Sequence, residues 1–205
     1  MLPESISNLA QTIRNIPGLG VKSSQKMAID LLQMNQENFQ NLVEAMTKTR
    51  QKIGFCKRCG FFAEGNLCNI CSNANRNTHQ ICIVEKPTDV LSLEKSEIYH
   101  GTYSVLNKLI SPLDNIFAEN TRINNLIETL SETTLDGKEI ELILFLRPSF
   151  AAEATVAYIK ETIRNRGLYQ NIKITKMAQG LPLYYNPDTL DSGTMIRALE
   201  DRKIV

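Results

Sequence analysis

Four of the five cysteines lie within sixteen residues of one another and form two Cys-x2-Cys pairs. Cys56 is paired with Cys59 and Cys68 with Cys71. Two thiolates at this spacing can grip one metal ion from a tight turn, and two such turns supply the tetrahedral sulfur set that zinc prefers in closed sites. The pattern predicts one structural zinc ion per chain, with no open position for a catalytic water. A redox pair or a chance cluster is the alternative.

A second group of residues that could do chemistry lies between positions 16 and 26, which read Ile-Pro-Gly-Leu-Gly-Val-Lys-Ser-Ser-Gln-Lys. Gly18 and Gly20 are expected to let the backbone turn sharply between two helices and approach a ligand closely. The free amide groups that begin the second helix suit a nucleic-acid phosphate. Lys22 and Lys26 are one helical turn apart and can flank the same phosphate. Such a motif holds the backbone and reads no bases; a plain turn between two packed helices is the alternative.

The composition is that of a globular protein. Of 205 residues, 42% are hydrophobic and 22% are charged, which allows one large domain or two to three small ones. No apolar run approaches the roughly 20 residues that cross a bilayer, so we expect no membrane contact. Residues 1–7 lack a basic region followed by an apolar block, so we expect no secretory signal and a cytoplasmic location.

Charge is distributed unevenly along the chain. Residues 1–80 carry nine Lys/Arg and five Asp/Glu, whereas residues 81–205 carry fourteen and seventeen. The net charge is therefore +4 for residues 1–80 and −3 for residues 81–205. This asymmetry fits a front part that meets phosphate and a back part that meets another partner.

Helices dominate the first part of the chain and alternate with strands in the second. Apolar spacing predicts helices on both sides of the glycine turn, the second capped by Ser23 or Ser24, and a third from about Glu37 to Lys52. The alternation after residue 78 predicts a mostly parallel sheet covered on both faces. The predicted strands are 80–85, 103–109, 139–146 and 171–177. The predicted helices are 88–95, 120–132, 151–166 and, outside the alternation, 189–201.

The order of these motifs resembles the RecR family of bacterial recombination mediators. A glycine hairpin and a four-cysteine segment are followed by Ile-Val-Glu-Lys-Pro-Thr-Asp at positions 83–89. The strings at 68–73, 111–114 and 197–202 also lie where that family has similar ones, so the resemblance covers essentially the whole chain.

The resemblance implies an α+β multi-domain protein. It implies an N-terminal helix-hairpin-helix domain (1–54), a four-cysteine zinc finger (55–78), an α/β Toprim domain with a parallel sheet (79–176) and a C-terminal helical segment for oligomerisation (177–205).

The Toprim resemblance also bears on catalysis. Active Toprim enzymes hold magnesium with a glutamate after the first strand and an Asp-x-Asp pair after a later one. Glu85 matches that glutamate, but the later strand runs into Arg147 with no carboxylate. One glutamate beside an arginine is a poor magnesium site, so we expect no enzymatic activity. A purely structural role for Glu85 at the end of its strand is the alternative.

The loop at 147–155 departs from the family pattern Asn-Pro-Thr-x-Glu-Gly-Glu-Ala-Thr. Arg147 replaces the asparagine, Ala151 replaces one acid, and Glu153 is retained. The resemblance implies that acids near this loop contact the partner protein RecO, which makes Glu85, Arg147 and Glu153 candidate partner-binding residues. Glu153 is otherwise a first-turn acid favoured by the helix dipole.

The function implied by the resemblance is a non-enzymatic, nucleoid-associated DNA clamp. Four chains are expected to form a ring that binds single- and double-stranded junctions and gaps without sequence preference. It would act with RecO or RecF to load the recombinase RecA at gaps coated by single-strand binding protein. The alternatives are a metal-dependent Toprim nuclease or primase, and a zinc-dependent adaptor that binds no DNA.

Overall fold

The computed structural model describes residues 2–178, 181, 188 and 190–200. The chain divides into two compact units, Met1–Gly54 and the part from Phe55 onward. No helix in the described ranges combines the length and apolarity needed to cross a membrane. The helices are α1 (Glu4–Arg14), α2 (Val21–Gln33), α3 (Gln36–Lys52), α4 (Pro87–Glu94), α5 (Ile123–Thr133), α6 (Phe150–Asn165) and α7 (Ser192–Glu200). The strands are β1 (Gly54–Phe55), β2 (Phe62–Ala63), β3 (Asn77–Val84), β4 (Gly101–Val105), β5 (Ile140–Phe145) and β6 (Ile172–Lys176).

The first unit is built from α1, α2 and α3. α1 packs against α2 through a small core of Ala10, Ile13 and Ala28. α3 begins at Asn35, whose side chain accepts a 2.8 Å hydrogen bond from the Asn38 amide. None of the side chains of α3 is buried. The three predicted helices are correct, but the third leaves its apolar side exposed.

The second unit contains a parallel sheet of order β4-β3-β5-β6. Helix α4 follows β3, α5 follows β4 and α6 follows β5, which is the predicted alternation. In the centre of the sheet, Cys82 is paired with Tyr103 on one side and Ile143 on the other. The predicted parallel sheet is confirmed. The second strand was predicted at 103–109 but spans Gly101–Val105, so the prediction begins two residues late and ends four residues late.

Each face of the sheet has its own core. One face buries Ile81, Ile83 and Leu142 against α5 and α6. The opposite face buries Cys82 and Val84 against α4 and the cysteine segment. The prediction that both faces are covered is therefore correct. The sequence did not predict that the cysteine segment packs on the second face, because this segment was predicted to be a separate domain.

A partly buried polar network holds the chain just before β3. The Arg76 guanidinium forms a two-pronged ion pair with Glu94 and donates to the carbonyl oxygen of Tyr99 at 3.1 Å. The Tyr103 hydroxyl donates to Glu94 at 2.6 Å. Burial alone would raise the pKa of Glu94, but the hydrogen bonds from Arg76 and Tyr103 outweigh it and hold the pKa below its usual value.

The described part of the C-terminal segment contains α7. Asp191 caps this helix by accepting 3.0 Å and 2.6 Å hydrogen bonds from the amide and hydroxyl of Thr194. Asp201 and Arg202, which belong to the family-like string at 197–202, lie outside the described residues. The domain boundaries at 54, 78 and 176, and the oligomerisation role of this segment, stay predictions.

Candidate nucleic-acid interface and zinc site

The turn between α1 and α2 is closed by a hydrogen bond of 3.2 Å from the Leu19 amide to the Ile16 carbonyl oxygen. Gly18 has φ +89°, a left-handed conformation that L side chains rarely adopt. Gly20 instead has φ −82° and ψ 176°, which is extended backbone open to any residue. The left-handed conformation that such a turn requires is therefore found at Gly18 and not at Gly20, and the close approach of a ligand to either glycine stays a prediction.

Helix α2 begins without a side-chain cap. Gly20 occupies the N-cap position, and no acidic residue lies in the first turn. The predicted cap by Ser23 or Ser24 is wrong because α2 begins earlier, at Val21. Ser24 is buried inside the helix and donates its hydroxyl to the Val21 carbonyl oxygen at 3.0 Å. The first amide groups of α2 are thus left to an external acceptor, and the positive end of the helix dipole favours an anion there.

Two exposed cations accompany this helix start. Lys22 and Lys26 lie four residues apart on α2, and both side chains are exposed. Within the described ranges neither forms an ion pair, whereas Lys48 on α3 is paired with Glu44. Helix α2 therefore carries two exposed cations without an ion-pair partner within 4.0 Å in those ranges, and its N-terminus lacks a side-chain cap.

The four cysteines of the second unit converge on one point. Their sulfur atoms all lie within 4.8 Å of one another, and Cys59 Sγ is 3.5 Å from Cys68 Sγ. A tetrahedron with Zn–S bonds of about 2.3 Å has sulfur atoms about 3.8 Å apart. Cys56, Cys59 and Cys68 are buried, and Cys71 is half-buried. Donor type, number and spacing all fit a closed zinc site.

Backbone hydrogen bonds shape the two turns that present the sulfurs. The amide of Phe61 donates to Cys59 Sγ at 3.4 Å, and the amide of Cys71 donates to Cys68 Sγ at 3.5 Å. Such donors orient thiolates and stabilise their charge. Gly60 lies between Cys59 and Phe61 and has φ +78°, a left-handed conformation. A Cβ at Gly60 would lie 2.6 Å from Arg122 Nε, so only glycine fits there.

Arg122, at the N-cap position of α5, supports the first cysteine turn, a role that the sequence did not predict. Its guanidinium donates to the carbonyl oxygens of Cys56 at 3.3 Å and Lys57 at 3.0 Å. These residues are more than sixty positions away along the chain. No local pattern around Arg122 signals the contact.

When no cation is bound, the neighbouring sulfurs and burial disfavour the thiolate form of most of these cysteines. The pKa of Cys59 is raised far above its usual range, first by the neighbouring Cys71 sulfur and then by burial. Burial, together with nearby sulfurs, raises the pKa of Cys68 to about 11. Burial also acts upward on Cys56, but backbone hydrogen bonds lower its pKa to about 7. A divalent cation supplies the charge that lets all four sulfurs ionise together.

Cys82 takes no part in this cluster. It is buried in β3, and burial raises the pKa of its thiol to about 12. The prediction that it is a buried small hydrophobic residue is correct.

The Toprim-like residues meet at a cleft of about 360 Å³ at the carboxyl ends of β3, β5 and β6. Glu85 and Arg147 both line it, together with Asp89 and Lys176. Glu153 is not among the lining residues; it is exposed in the first turn of α6. The structure therefore brings together two of the three candidate partner-binding residues. Lys176 was missed, although its place at the end of a predicted strand was a usable signal.

Both carboxylates of this cleft have partners within the protein. Asp89 accepts a hydrogen bond of 2.8 Å from the Lys86 amide and caps α4. Glu85 lies 3.8 Å from the Lys86 ammonium group. Among the described residues, the cysteine set is the one group of three or more metal-ligating side chains that converge.

Comparisons with known proteins agree with this arrangement. Three family models match: the RecR helix-hairpin-helix over residues 6–50, the RecR four-cysteine zinc finger domain over 53–73 and the Toprim domain over 79–178. The chain is 36% identical over 203 residues to the recombination protein RecR of Saccharophagus degradans, covering 99% of each chain. It is 34% identical over 200 residues to that of Streptomyces coelicolor, covering 98% of this chain and 96% of the relative. The predicted fold class and the structural zinc ion are confirmed.

Proposed function

The chain belongs to the RecR family of recombination proteins and has a role in recombinational repair, and from this premise we propose that it works as a non-enzymatic DNA clamp. The observation that carries the proposal is the uncapped start of α2 beside two exposed lysines.

The hairpin is proposed to hold the DNA backbone. Phosphate oxygens would accept from the free amide groups of α2, and the ammonium groups of Lys22 and Lys26 would flank the same phosphate. Gly18 sets the turn, and Gly20 leaves the helix start unobstructed by a side chain. Contacts of this kind engage single strands, duplexes, junctions and gaps alike, because every nucleotide carries the same phosphate.

A single hairpin with two lysines binds phosphate weakly, so the clamp requires several copies. We propose that four chains assemble into a ring through their N- and C-terminal segments. The exposed apolar side of α3 supports an N-terminal contact, since Leu42, Val43 and Met46 are 36%, 47% and 62% exposed. A second copy of this chain would remove that surface from water. Several hairpins on one assembly then add their affinities through effective concentration.

The zinc ion is structural in this scheme. With Cys56, Cys59, Cys68 and Cys71 as its ligands, all four positions are occupied by protein sulfur and no water can be activated. The zinc instead holds the segment that covers one face of the Toprim sheet.

The Toprim surface is proposed to recruit the partner protein. Glu85 and Arg147 at the cleft and Glu153 on α6 would contact RecO or RecF, and the complex would load RecA at single-stranded gaps in the nucleoid. A surface that carries both acidic and basic side chains favours a partner whose charges are complementary to them.

One experiment tests the clamp and its partner together. Binding to gapped duplex DNA is measured with and without RecO, and the oligomer mass is measured in the same buffer. We expect tight binding by a tetramer and a further gain with RecO that Glu153→Ala reduces. Tight, salt-insensitive binding by a monomer would contradict the clamp, and an unchanged affinity in the presence of RecO would contradict the partner assignment.

A further inference from the structure

The cleft at the carboxyl ends of β3, β5 and β6 lies where parallel α/β sheets bind their ligands. Its volume of about 360 Å³ is sufficient for a small molecule and is close to the lower limit for ligand pockets. In this chain the cleft has a different charge pattern from a magnesium site, because Arg147 and Lys176 stand at the ends of β5 and β6.

The two carboxylates of the cleft already have partners. Asp89 accepts from the Lys86 amide at 2.8 Å, so its charge is held against the start of α4. Glu85 lies 3.8 Å from the Lys86 ammonium group. Neither Arg147 nor Lys176 has a carboxylate within 4.0 Å in the described ranges. The lining thus carries three cations (Lys86, Arg147 and Lys176) and two carboxylates (Glu85 and Asp89), a net charge of +1, and Arg147 and Lys176 are the two cations without an ion-pair partner in the described ranges.

The sheet register brings these two cations together. Lys176 is paired with Leu144 across β5 and β6, and the Met177 amide donates to the Leu144 carbonyl oxygen at 3.4 Å. Arg147 follows Leu144 by three residues, so both cations leave the same edge of the sheet. Pro148 and Met177 add apolar surface to the same cleft.

We propose that this cleft binds the phosphate group of a nucleoside phosphate, free or at the end of a DNA strand, without a metal ion. Arg147 and Lys176 contact the phosphate oxygens, and the apolar wall at Pro148 and Met177 packs against the base or sugar. A guanidinium and an ammonium group together attract and hydrogen-bond a phosphate, whereas they repel a metal ion.

This inference goes beyond the clamp and uses no residue of the hairpin. Arg147 would be shared between the phosphate and a protein partner at the rim of the cleft. The two roles can be separated, because Glu153 does not line the cleft.

The test measures binding of adenosine 5′-monophosphate, adenosine, inorganic phosphate and a 5′-phosphorylated oligonucleotide by titration calorimetry. The buffer contains no added magnesium and no chelator, so that zinc stays bound. The test variant is Arg147→Ala with Lys176→Ala. The matched control is Lys160→Ala with Lys173→Ala, which removes the same charge from exposed positions of α6 and β6 that do not line the cleft.

We expect wild-type protein and the control to bind the monophosphate, and the test variant to lose about tenfold or more in affinity. Binding of adenosine as tight as that of its monophosphate would overturn the proposal, as would an equal loss in the control, a requirement for magnesium, or no binding of any phosphate probe. Oligonucleotide binding that is tighter with the 5′-phosphate than without it, and that loses this difference in the test variant, would assign the phosphate to a DNA end if the monophosphate itself does not bind. Lys22→Ala with Lys26→Ala should leave monophosphate binding unchanged, so failure of the hairpin and failure of the cleft are distinguishable.

Discussion

The amide of Val105 donates a hydrogen bond of 2.8 Å to the carbonyl oxygen of Cys59. Val105 is the last residue of the edge strand β4, and Cys59 is the second cysteine of the first zinc turn. The hydrogen bond attaches the zinc segment to the sheet, and the cysteines share a buried cluster with Cys82 and Val84 of β3. The zinc ion therefore stabilises one face of the Toprim sheet in addition to its own turns.

Loss of zinc should weaken the second unit as a whole. We expect Cys59→Ser to abolish the binding of one zinc ion per chain. It should also lower the melting temperature of the part of the chain from Phe55 onward, because metal binding contributes directly to folding. Elemental analysis and calorimetry measure the two effects. Cys82→Ala is the control, because it removes a buried thiol of the same core that is not one of the four zinc ligands, and it should keep one zinc per chain. A metal-free protein with unchanged melting would contradict the prediction.

Substitution of Gly60 should be costly although the change is small. Gly60→Ala adds a Cβ to a residue whose backbone is left-handed. This Cβ would lie 2.6 Å from Arg122 Nε and 3.0 Å from the Val105 carbonyl oxygen. We expect a loss of about 1–3 kcal/mol in the free energy of unfolding. Gly65→Ala in the same segment meets nothing within 4 Å and should change it little. Equal stability of the two variants, measured by denaturant titration, would refute this account.

Removal of the two hairpin lysines should weaken DNA binding uniformly across sequences. For Lys22→Ala with Lys26→Ala we expect the slope of log affinity against log salt to flatten by about two for each engaged hairpin. Fluorescence anisotropy over a salt series gives the slope. The Lys160→Ala and Lys173→Ala pair carries the same charge change in the second unit and should retain the wild-type slope. If both pairs behave alike, net charge and not the hairpin governs binding.

A charge on the apolar side of α3 should disrupt the oligomer without unfolding the first unit. Val43→Glu with Met46→Glu places two carboxylates on a surface that a second copy is proposed to cover, and neither side chain is buried within the chain. We expect a lower mass in analytical ultracentrifugation with unchanged helical circular dichroism. Gln40→Glu with Gln51→Glu adds the same charge to exposed polar positions of α3 and serves as the control. An intact tetramer in the first variant would exclude this side of α3 from the interface.

Stability should depend on the ionisation of Glu94 at acidic pH. The pKa of Glu94 is lower in the folded protein than its usual value of 4.5, because Arg76 and Tyr103 donate to the carboxylate. A depressed folded-state pKa contributes stability that is complete above the unfolded pKa and is lost as the pH falls through the folded pKa. We therefore expect wild-type stability to fall below about pH 5, and to fall less steeply in Glu94→Gln. Exposed Glu119→Gln should keep the wild-type slope, and identical slopes in all three proteins would contradict the assignment.

Patterns that act over short stretches were read correctly from the sequence. The spacing of Cys56, Cys59, Cys68 and Cys71 identified the zinc site, because ligand geometry depends on turns of a few residues. Apolar periodicity located the helices and strands, and the alternation after residue 78 indicated the parallel sheet. The error at the start of α2 was also local: two serines with capping chemistry were preferred to Gly20, although the helix begins before them.

Contacts between distant parts of the chain were decided only by the tertiary structure. Arg122 reaches the first zinc turn, and Val105 bonds Cys59, because burial of the second sheet face brings these segments together. Lys176 and Arg147 meet because parallel strands end at one edge of a sheet. A residue's own neighbours in sequence determine its turn or helix, but which remote group it faces depends on how the apolar faces of whole elements are buried. The sequence by itself therefore determined the four-cysteine set, and it predicted the hairpin lysines. The tertiary structure decided what the zinc segment covers and which charges share the cleft.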